Sequence, residues 1–294
     1  MKSYAGGMVR DMKTRDRVLL FFLSLVVVGI LFTPNQALSF DGKSGWWYTK
    51  GKDGTGVSVE IQGNNAFVAM FTYYDDSRLP FWITAYGPVE TSVQDRQSQE
   101  DVFTGTLYYW TGWPLGTAYD APRSYRMGTM TIVFHSSDDA DLTYTVEGFT
   151  SAQGGKKKKE KDQQVFKEHL TKFMQDASPG ALDPRDINGW WYDSNYNGMG
   201  FFMEARGGTV FMTWYHYRSD KLPWWWTCSA DMDSSDNHFS CDLMEWQGGS
   251  SIGASEYHRP TASAVGSASF TLNIDGTANL DWSGNTFHLQ RFRF

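Results

Sequence analysis

Cysteine, histidine and proline are scarce in this chain, and several catalytic motifs are missing. Its 294 residues include 2 Cys, 6 His and 9 Pro. The sequence has no Gly-rich phosphate loop before a helix, no Gly-x-Ser-x-Gly segment and no Cys/His cluster, and its histidines lack metal-ligand spacing. The acidic segment 231–236 lacks the central Gly and terminal Glu of a calcium loop, which favours a hairpin turn. We therefore expect no metal, no cofactor and no catalytic residue of these classes.

Positive charge is also in short supply. The chain carries 26 Lys and Arg against 33 Asp and Glu, a formal net charge of −7. An acidic balance favours solubility and argues against nucleic acid as a partner. The one strong basic run, Lys156–Lys159, is expected to be a solvated loop, with contact to an anionic surface as the alternative.

Long apolar runs are missing too, apart from one near the amino terminus. The run Val18–Phe32 follows several basic residues and precedes the small-x-small pattern Ala37-Leu38-Ser39. This order predicts a secretory signal peptide over residues 1–39, removed in a periplasmic or extracellular protein. The run is short for a membrane span of about 20 residues, so an uncleaved anchor is the alternative. No Cys lies near the cleavage point, so we expect no lipid anchor.

Aromatic residues are abundant, and they occur in a repeat. The chain has 13 Trp, 15 Tyr and 20 Phe. Gly-Trp-Trp-Tyr begins at Gly45 and again at Gly189, an offset of 144, and the same offset pairs Glu60 with Glu204. A period this long indicates one folding unit duplicated, because solenoid repeats have periods of about 20–50 residues.

Short stretches rich in aromatic and β-branched residues, separated by turn residues, predict about eight β-strands in each unit. The segment Gln163–Met174 also fits an amphipathic helix, but the similarity of residues 169–173 to residues 288–292 favours a strand in its second half. Strands in sequence without helical crossovers favour an antiparallel meander, and closure removes its exposed edges. We therefore predict an all-β chain with two tandem eight-stranded antiparallel up-and-down β-barrels. The predicted parts are a signal peptide at 1–39, a first barrel at 40–174, a linker at 175–188 and a second barrel at 189–294.

The two cysteines, Cys228 and Cys241, lie on neighbouring predicted strands of the second unit. In an exported protein this arrangement predicts a disulfide. The matching positions of the first unit are Ala85 and Gly105, so the bridge belongs to one copy only.

Two resemblances follow from these residues. The order Gly-Trp-Trp-Tyr, Gly-x-Gly, a Glu-bearing strand and Leu-Pro-x-Trp resembles a tandem repeat of exported proteobacterial proteins, which implies export and no particular chemistry. The Gly-x-Trp openings at Gly45 and Gly189 also resemble the calycin barrels, such as lipocalins and avidins. That resemblance implies a basic residue of the last strand over the tryptophan ring, with Arg291 or Arg293 in the second unit and Lys172 in the first.

Repeated polar and aromatic positions supply the candidate ligand-binding residues. Glu60 and Glu204 are the acids at equivalent mid-strand positions, and a carboxylate inside a barrel can bind a polar ligand group or act as a base. A hydrogen-bonded strand glutamate is the alternative. Aromatic strands can line a concave cavity or fill a core. The aromatic candidates are Trp47, Tyr73, Trp82, Trp191, Tyr217 and Trp225.

These features favour an exported, non-enzymatic binding protein whose aromatic barrels hold a small apolar or aromatic ligand, a glycan or a protein partner. A structural or inhibitory envelope protein is one alternative, with filled barrels and contacts on the loops 112–125 and 247–264. An enzyme that uses one Glu with a neighbouring Tyr is another. A sixteen-stranded outer-membrane barrel is the last, although the strands lack its regular alternation.

Overall fold

The computed structural model describes residues 41–95, 98–147, 163–232 and 235–294. The predicted signal peptide and the basic run Lys156–Lys159 lie outside these residues and stay predictions. Within the described ranges, no helix is both long and apolar enough to cross a bilayer.

The first eight strands form a closed antiparallel barrel in chain order, because β1 pairs with both β2 and β8. These strands are β1 Gly45–Tyr48, β2 Gly56–Gln62, β3 Asn65–Tyr73, β4 Pro80–Asp95, β5 Ser98–Thr111, β6 Arg123–Phe134, β7 Asp139–Glu147 and β8 Gln163–Lys172. The ambiguous segment is thus a strand up to Lys172, and a short helix α1 (Phe173–Ala177) follows it.

The next eight strands close a second barrel in the same way, with β9 between β10 and β16. They are β9 Gly189–Asp193, β10 Gly200–Arg206, β11 Thr209–Tyr217, β12 Pro223–Asp231, β13 His238–Gln247, β14 Thr261–Leu272, β15 Ala278–Trp282 and β16 Asn285–Arg291, with a 3-10 turn at Ser194–Tyr196. The prediction of two tandem eight-stranded barrels is confirmed. The alternative of one sixteen-stranded barrel is wrong, because the ring closes after every eighth strand.

Side chains fill both barrel interiors. Strand alternation directs Val57, Val59 and Ile61 of β2 into the first core, which also contains Trp47 and Phe103. The second core is built likewise, from Phe201, Met203 and Ala205 of β10 around Trp191 and Trp214. An eight-stranded barrel encloses little more space than its own side chains occupy.

A third buried cluster lies between the barrels. It contains the outward-facing aromatic residues of β3 and β4 from the first barrel and of β11 and β12 from the second. These strands are apolar on both faces because one face lines its own core and the other packs on the opposite barrel. The aromatic richness of the sequence therefore serves an inter-barrel interface as well as two cores.

Each barrel is also packed by a loop of the other. Ile252, in the loop 248–260, joins the first core: its N–H donates to Thr72 Oγ1 at 2.9 Å, and its carbonyl accepts from the Tyr144 hydroxyl at 2.6 Å. Leu115, in the loop 112–122, packs against the second core. The alternative that the loops 112–125 and 247–264 carry contacts to other proteins is therefore wrong for their buried residues, which bind the opposite barrel.

The predicted disulfide joins Cys228 of β12 to Cys241 of β13, with a Cα–Cα distance of 5.8 Å. Both cysteines belong to the second core, and Ala85 occupies the equivalent buried position of the first. A structural disulfide indicates an oxidising, non-cytoplasmic compartment.

Candidate functional site

The carboxylate of Glu60 points away from the core of the first barrel and binds residues of the second. The backbone N–H of Trp190 donates to Glu60 Oε2 at 2.6 Å, and Arg291 Nη2 donates to Oε1 at 2.7 Å. Burial raises the pKa of Glu60 above its ordinary value, while the Arg291 guanidinium and the Trp190 N–H act against that rise. Gly189 has φ 109°, and a Cβ there would collide with this carboxylate, so the position favours glycine.

Glu204 makes the reciprocal contact from the second barrel. The backbone N–H of Trp46 donates to Glu204 Oε2 at 3.1 Å, and Arg206 Nε donates to Oε1 at 3.1 Å. Gly45, with φ 133°, is the equivalent of Gly189, and a Cβ there would meet the Glu204 carboxylate and the Lys172 ammonium. Such reciprocity is the mark of an isologous interface, here between two halves of one chain.

The last strand of each barrel places a cation beside the tryptophan in the core. Lys172 Nζ lies 4.8 Å from the Trp47 ring centroid, and Arg291 Cζ lies 5.4 Å from that of Trp191. Lys172 also donates to the Ser44 carbonyl. Burial lowers the pKa of Lys172 to about 8, although the nearby Glu204 carboxylate opposes the change.

Two tryptophans complete the reciprocal set. Trp82 Nε1 donates to the His216 carbonyl at 3.0 Å, and Trp225 Nε1 donates to the Thr72 carbonyl at 3.4 Å. Because Thr72 and His216 are equivalent positions, each barrel anchors the indole of the other. These bonds hold the barrel surfaces at a fixed distance and leave aromatic clefts beside them.

Cleft 1 has a volume of about 360 Å³ and takes its walls from both barrels. The first barrel supplies Trp82 and Trp110, and the second supplies Trp190 and Tyr215. Trp110 is held in place because its Nε1 donates to Thr84 Oγ1 at 2.8 Å. The remaining lining residues of cleft 1 are Phe67, Ala69, Thr84, Trp191, Tyr192, Phe292 and the segment 197–200.

Cleft 2 has a volume of about 260 Å³ and is the reciprocal counterpart of cleft 1. Here the second barrel supplies Trp225 and Trp246, and the first supplies Trp46 and Phe71. Trp246 Nε1 donates to Thr227 Oγ1 at 2.8 Å, as its equivalent does in cleft 1. The remaining lining residues of cleft 2 are Trp47, Tyr48, Phe173, Phe211, Thr227, Arg259, Pro260 and the segment 53–55.

Each cleft has a tryptophan with an unused hydrogen-bond donor. Trp190 in cleft 1 and Trp46 in cleft 2 are at least nine-tenths buried, and no described residue accepts a hydrogen bond from either indole Nε1. A buried donor without an acceptor is costly, by about 1–3 kcal/mol. A ligand that brings an acceptor into the cleft would relieve that cost.

The structure divides the eight sequence-predicted ligand residues among three places. Trp82 and Trp191 line cleft 1, while Trp47 and Trp225 line cleft 2. The other four are buried in the inter-barrel interface, outside both linings: Glu60, Tyr73, Glu204 and Tyr217.

The hypothesis of a carboxylate inside a barrel is wrong. Val59 and its neighbours two residues away take the inward face of β2, so Glu60 must face outwards. The carboxylates are therefore already bonded to the opposite barrel.

Sequence reasoning missed the pairs Trp46/Trp190 and Trp110/Trp246. The first pair lies in the repeated Gly-Trp-Trp-Tyr, so the repeat itself carried a signal for it. The second pair gave no such signal. The two repeats have different numbers of residues between the aligned segments and these tryptophans, so the alignment did not match Trp110 with Trp246.

The described part of the chain has no group of three or more His, Cys, Asp or Glu side chains arranged to hold a metal ion. Comparison with known proteins finds no match among protein-family models, curated proteins or solved structures.

Proposed function

We propose that the protein is an exported, non-enzymatic binding protein that holds small apolar, ring-bearing ligands between its barrels. The observation that carries this proposal is the pair of aromatic clefts, each with an unused indole N–H. Ligand sites are typically concave and mostly apolar, with a few polar groups that orient the ligand. Filled interiors argue against ligands inside the barrels themselves.

The expected ligand has a flat ring and one hydrogen-bond acceptor. Aromatic walls favour a ring because edge-to-face and offset-stacked contacts add to the burial of apolar area. The indole N–H of Trp190 or Trp46 would donate to a carbonyl or ether oxygen. A glycan would need many polar partners, whereas the walls of both clefts are mostly aromatic and the hydroxyls of Thr84 and Thr227 already accept from Trp110 and Trp246.

Titration with acetophenone, a neutral ring compound with one carbonyl, tests this proposal by calorimetry and tryptophan fluorescence. We expect binding at two sites and a shift in tryptophan emission. Trp190→Phe and Trp46→Phe remove a donor while keeping a ring, and each should weaken one site about fivefold, the equivalent of about 1 kcal/mol.

Trp113→Phe is the matched control. The Trp113 Nε1 is also buried without an acceptor among the described residues, but Trp113 lines neither cleft. This variant should leave both affinities unchanged. Absence of heat and of any emission shift at millimolar acetophenone would contradict the proposal, and binding of chitohexaose alone would make the ligand a glycan.

A structural or inhibitory envelope role is the second candidate, and the filled barrel interiors favour it. In that role the clefts are only packing defects of the interface. The same titrations separate the two candidates. A purely structural protein binds none of these compounds, so its thermal unfolding midpoint is the same with and without them.

A further inference from the structure

The two clefts have equivalent walls but different charges. Cleft 2 is lined by two charged side chains, Asp53 and Arg259. Asn197 occupies the position of Asp53 in cleft 1, and none of the residues that line cleft 1 is charged. The two clefts therefore differ in charge at a position that is equivalent in the two repeats.

Ala121 is the first-barrel counterpart of Arg259. The next residues, Pro122 and Pro260, are equivalent because they lie against Gly198 and Gly54 of the opposite barrel. A small apolar side chain therefore stands where cleft 2 has a guanidinium.

The charged pair of cleft 2 is loose and exposed. Arg259 Nη2 lies 3.6 Å from Asp53 Oδ2, and the two side chains are 79% and 58% exposed. An exposed ion pair at this distance contributes little to stability. A ligand can therefore separate the two groups at little cost and give each of them a closer partner.

We propose, resting on the binding function above, that cleft 2 takes a zwitterion: a ligand with an aromatic side chain and an adjacent carboxylate and ammonium group. The carboxylate pairs with the Arg259 guanidinium, whose fork of donors suits it, and the ammonium pairs with Asp53. The ring enters among Trp46, Trp225 and Trp246. An aromatic α-amino acid is the simplest member of this class.

The polar groups of the cleft fit this assignment. Trp46 lines the same cleft, and its indole N–H, which has no acceptor among the described residues, can give the carboxylate a second donor. The nearby Lys50 and Asp176 lie 3.4 Å apart and pair with each other. A zwitterion therefore places an opposite charge beside both Asp53 and Arg259. A simple anion would be repelled by Asp53, and a simple cation would be repelled by Arg259.

Calorimetry with four phenyl compounds tests the proposal on the whole protein. The compounds are L-phenylalanine, 3-phenylpropionate without the ammonium, 2-phenylethylamine without the carboxylate, and acetophenone without either charge. We expect L-phenylalanine to bind cleft 2 at least about tenfold more tightly than the other three, since each lost charge removes a charge-assisted hydrogen bond.

Four substitutions move the charges between the clefts. Arg259→Ala and Asp53→Asn give cleft 2 the side chains of cleft 1, and each should remove the preference for L-phenylalanine, measured as the ratio of its affinity to that of acetophenone. Ala121→Arg with Asn197→Asp gives cleft 1 the charges of cleft 2. This double variant should bind a second molecule of L-phenylalanine. All four positions are exposed, and the unfolding midpoint of each variant verifies its fold.

The outcomes separate this proposal from the one on which it rests. If acetophenone binds cleft 2 as tightly as L-phenylalanine does, the zwitterion assignment is wrong while the binding function stands. If 3-phenylpropionate binds as tightly, the site takes an anion and the assignment is again wrong. If no compound binds to either cleft, the binding function itself is wrong.

Discussion

Arg291 in the second barrel and Lys172 in the first occupy equivalent positions, each beside a buried glutamate that reaches over from the opposite barrel. Arg291 donates directly to Glu60 at 2.7 Å, whereas Lys172 donates to a carbonyl of its own barrel. Lysine can lose its proton when it is buried, and arginine cannot. The Glu60 side of the interface is therefore held by the permanent charge of Arg291. On the Glu204 side the permanent charge of Arg206, which donates to Glu204 at 3.1 Å, is joined by the titratable Lys172.

The largest effect that separates the two sides should come from Glu60→Gln. This change removes the carboxylate to which the buried Arg291 guanidinium donates and leaves it Asp186, whose Oδ1 lies 3.4 Å from Nε, as its carboxylate partner among the described residues. Removing one partner of a buried pair costs about 3–5 kcal/mol. Glu204→Gln should cost less, about 1–2 kcal/mol. Lys172 can become neutral, and Arg206, the direct partner of Glu204, keeps an exposed hydrogen bond to the Gly180 carbonyl. Urea unfolding of the two variants at pH 7 measures both values.

The pH dependence of Glu204→Gln provides its control. Lys172 has a folded pKa of about 8, below its ordinary value of 10.5, so the unfolded chain binds more protons between these values and stability rises with pH there. Loss of the Glu204 carboxylate lowers the pKa of Lys172 further. The cost of Glu204→Gln should therefore shrink from pH 7 to pH 9, while that of Glu60→Gln stays the same. Equal costs at both pH values would show that the two cations behave alike.

The disulfide is the second difference between the barrels. Replacing both cysteines, Cys228→Ala with Cys241→Ala, should lower the free energy of unfolding by about 3 kcal/mol, as expected for a cross-link that closes a short loop. The first barrel has Ala85 at one of the equivalent positions and folds without a bridge. Separate observation of the two barrels by amide hydrogen exchange should show faster exchange in the second alone. Equal acceleration in both would mean that the interface couples them into one cooperative unit.

Much of the fold could be predicted from the sequence because strand signals are local. Alternation and turn residues located the strands, and the similarity of His169 to His288 identified β8 as a strand rather than a helix. The duplication then required both barrels to be alike. Each of these inferences uses residues close together in the chain or matched by the repeat.

The clefts could not be predicted because they join residues that are far apart in sequence. Both faces of β2 are buried, so the local sequence pattern could not show that Glu60 faces the opposite barrel. Trp82 and Trp190 meet only when the two barrels pack face to face. Similarly, no local pattern indicated that Ile252 would enter the core of the first barrel. Inter-barrel geometry decides all three, and the repeat does not encode it.

His216 and Thr72 make a third, smaller contrast at equivalent buried positions. Burial lowers the pKa of His216 to about 3, because its ring lies among Trp214 and Trp226 with only a weak contact from Nδ1 to the Tyr217 carbonyl, 3.3 Å away. His216 therefore takes up a proton near pH 6.5 in the unfolded chain but not in the folded chain, so the free energy of unfolding decreases as the pH falls. About 2 kcal/mol should be lost between pH 7 and pH 5 through this residue.

His216→Thr gives the second barrel the side chain of the first and tests this contrast. Its stability at pH 7 reflects packing as well, so the informative quantity is the difference between pH 7 and pH 5. That difference should be about 2 kcal/mol smaller in the variant than in the unchanged protein. An unaltered difference would assign the acid sensitivity to the carboxylates instead.

The smallest effect concerns a hydrogen bond that each barrel makes within itself. Trp110 donates to Thr84 in the first barrel and Trp246 donates to Thr227 in the second, both at 2.8 Å. Double-mutant cycles with Trp→Phe and Thr→Val isolate each bond, because Trp→Phe keeps one aromatic ring, Thr→Val keeps the branched shape, and the double variant corrects for the change in packing. A neutral hydrogen bond contributes about 1 kcal/mol, and equal geometry predicts equal coupling in the two barrels. Urea unfolding of the unchanged protein and the six variants measures both couplings. If one bond were worth much more than the other, the charge differences at Asp53 and Arg259 would no longer be the main distinction between the clefts, since their tryptophan walls would then differ in rigidity too.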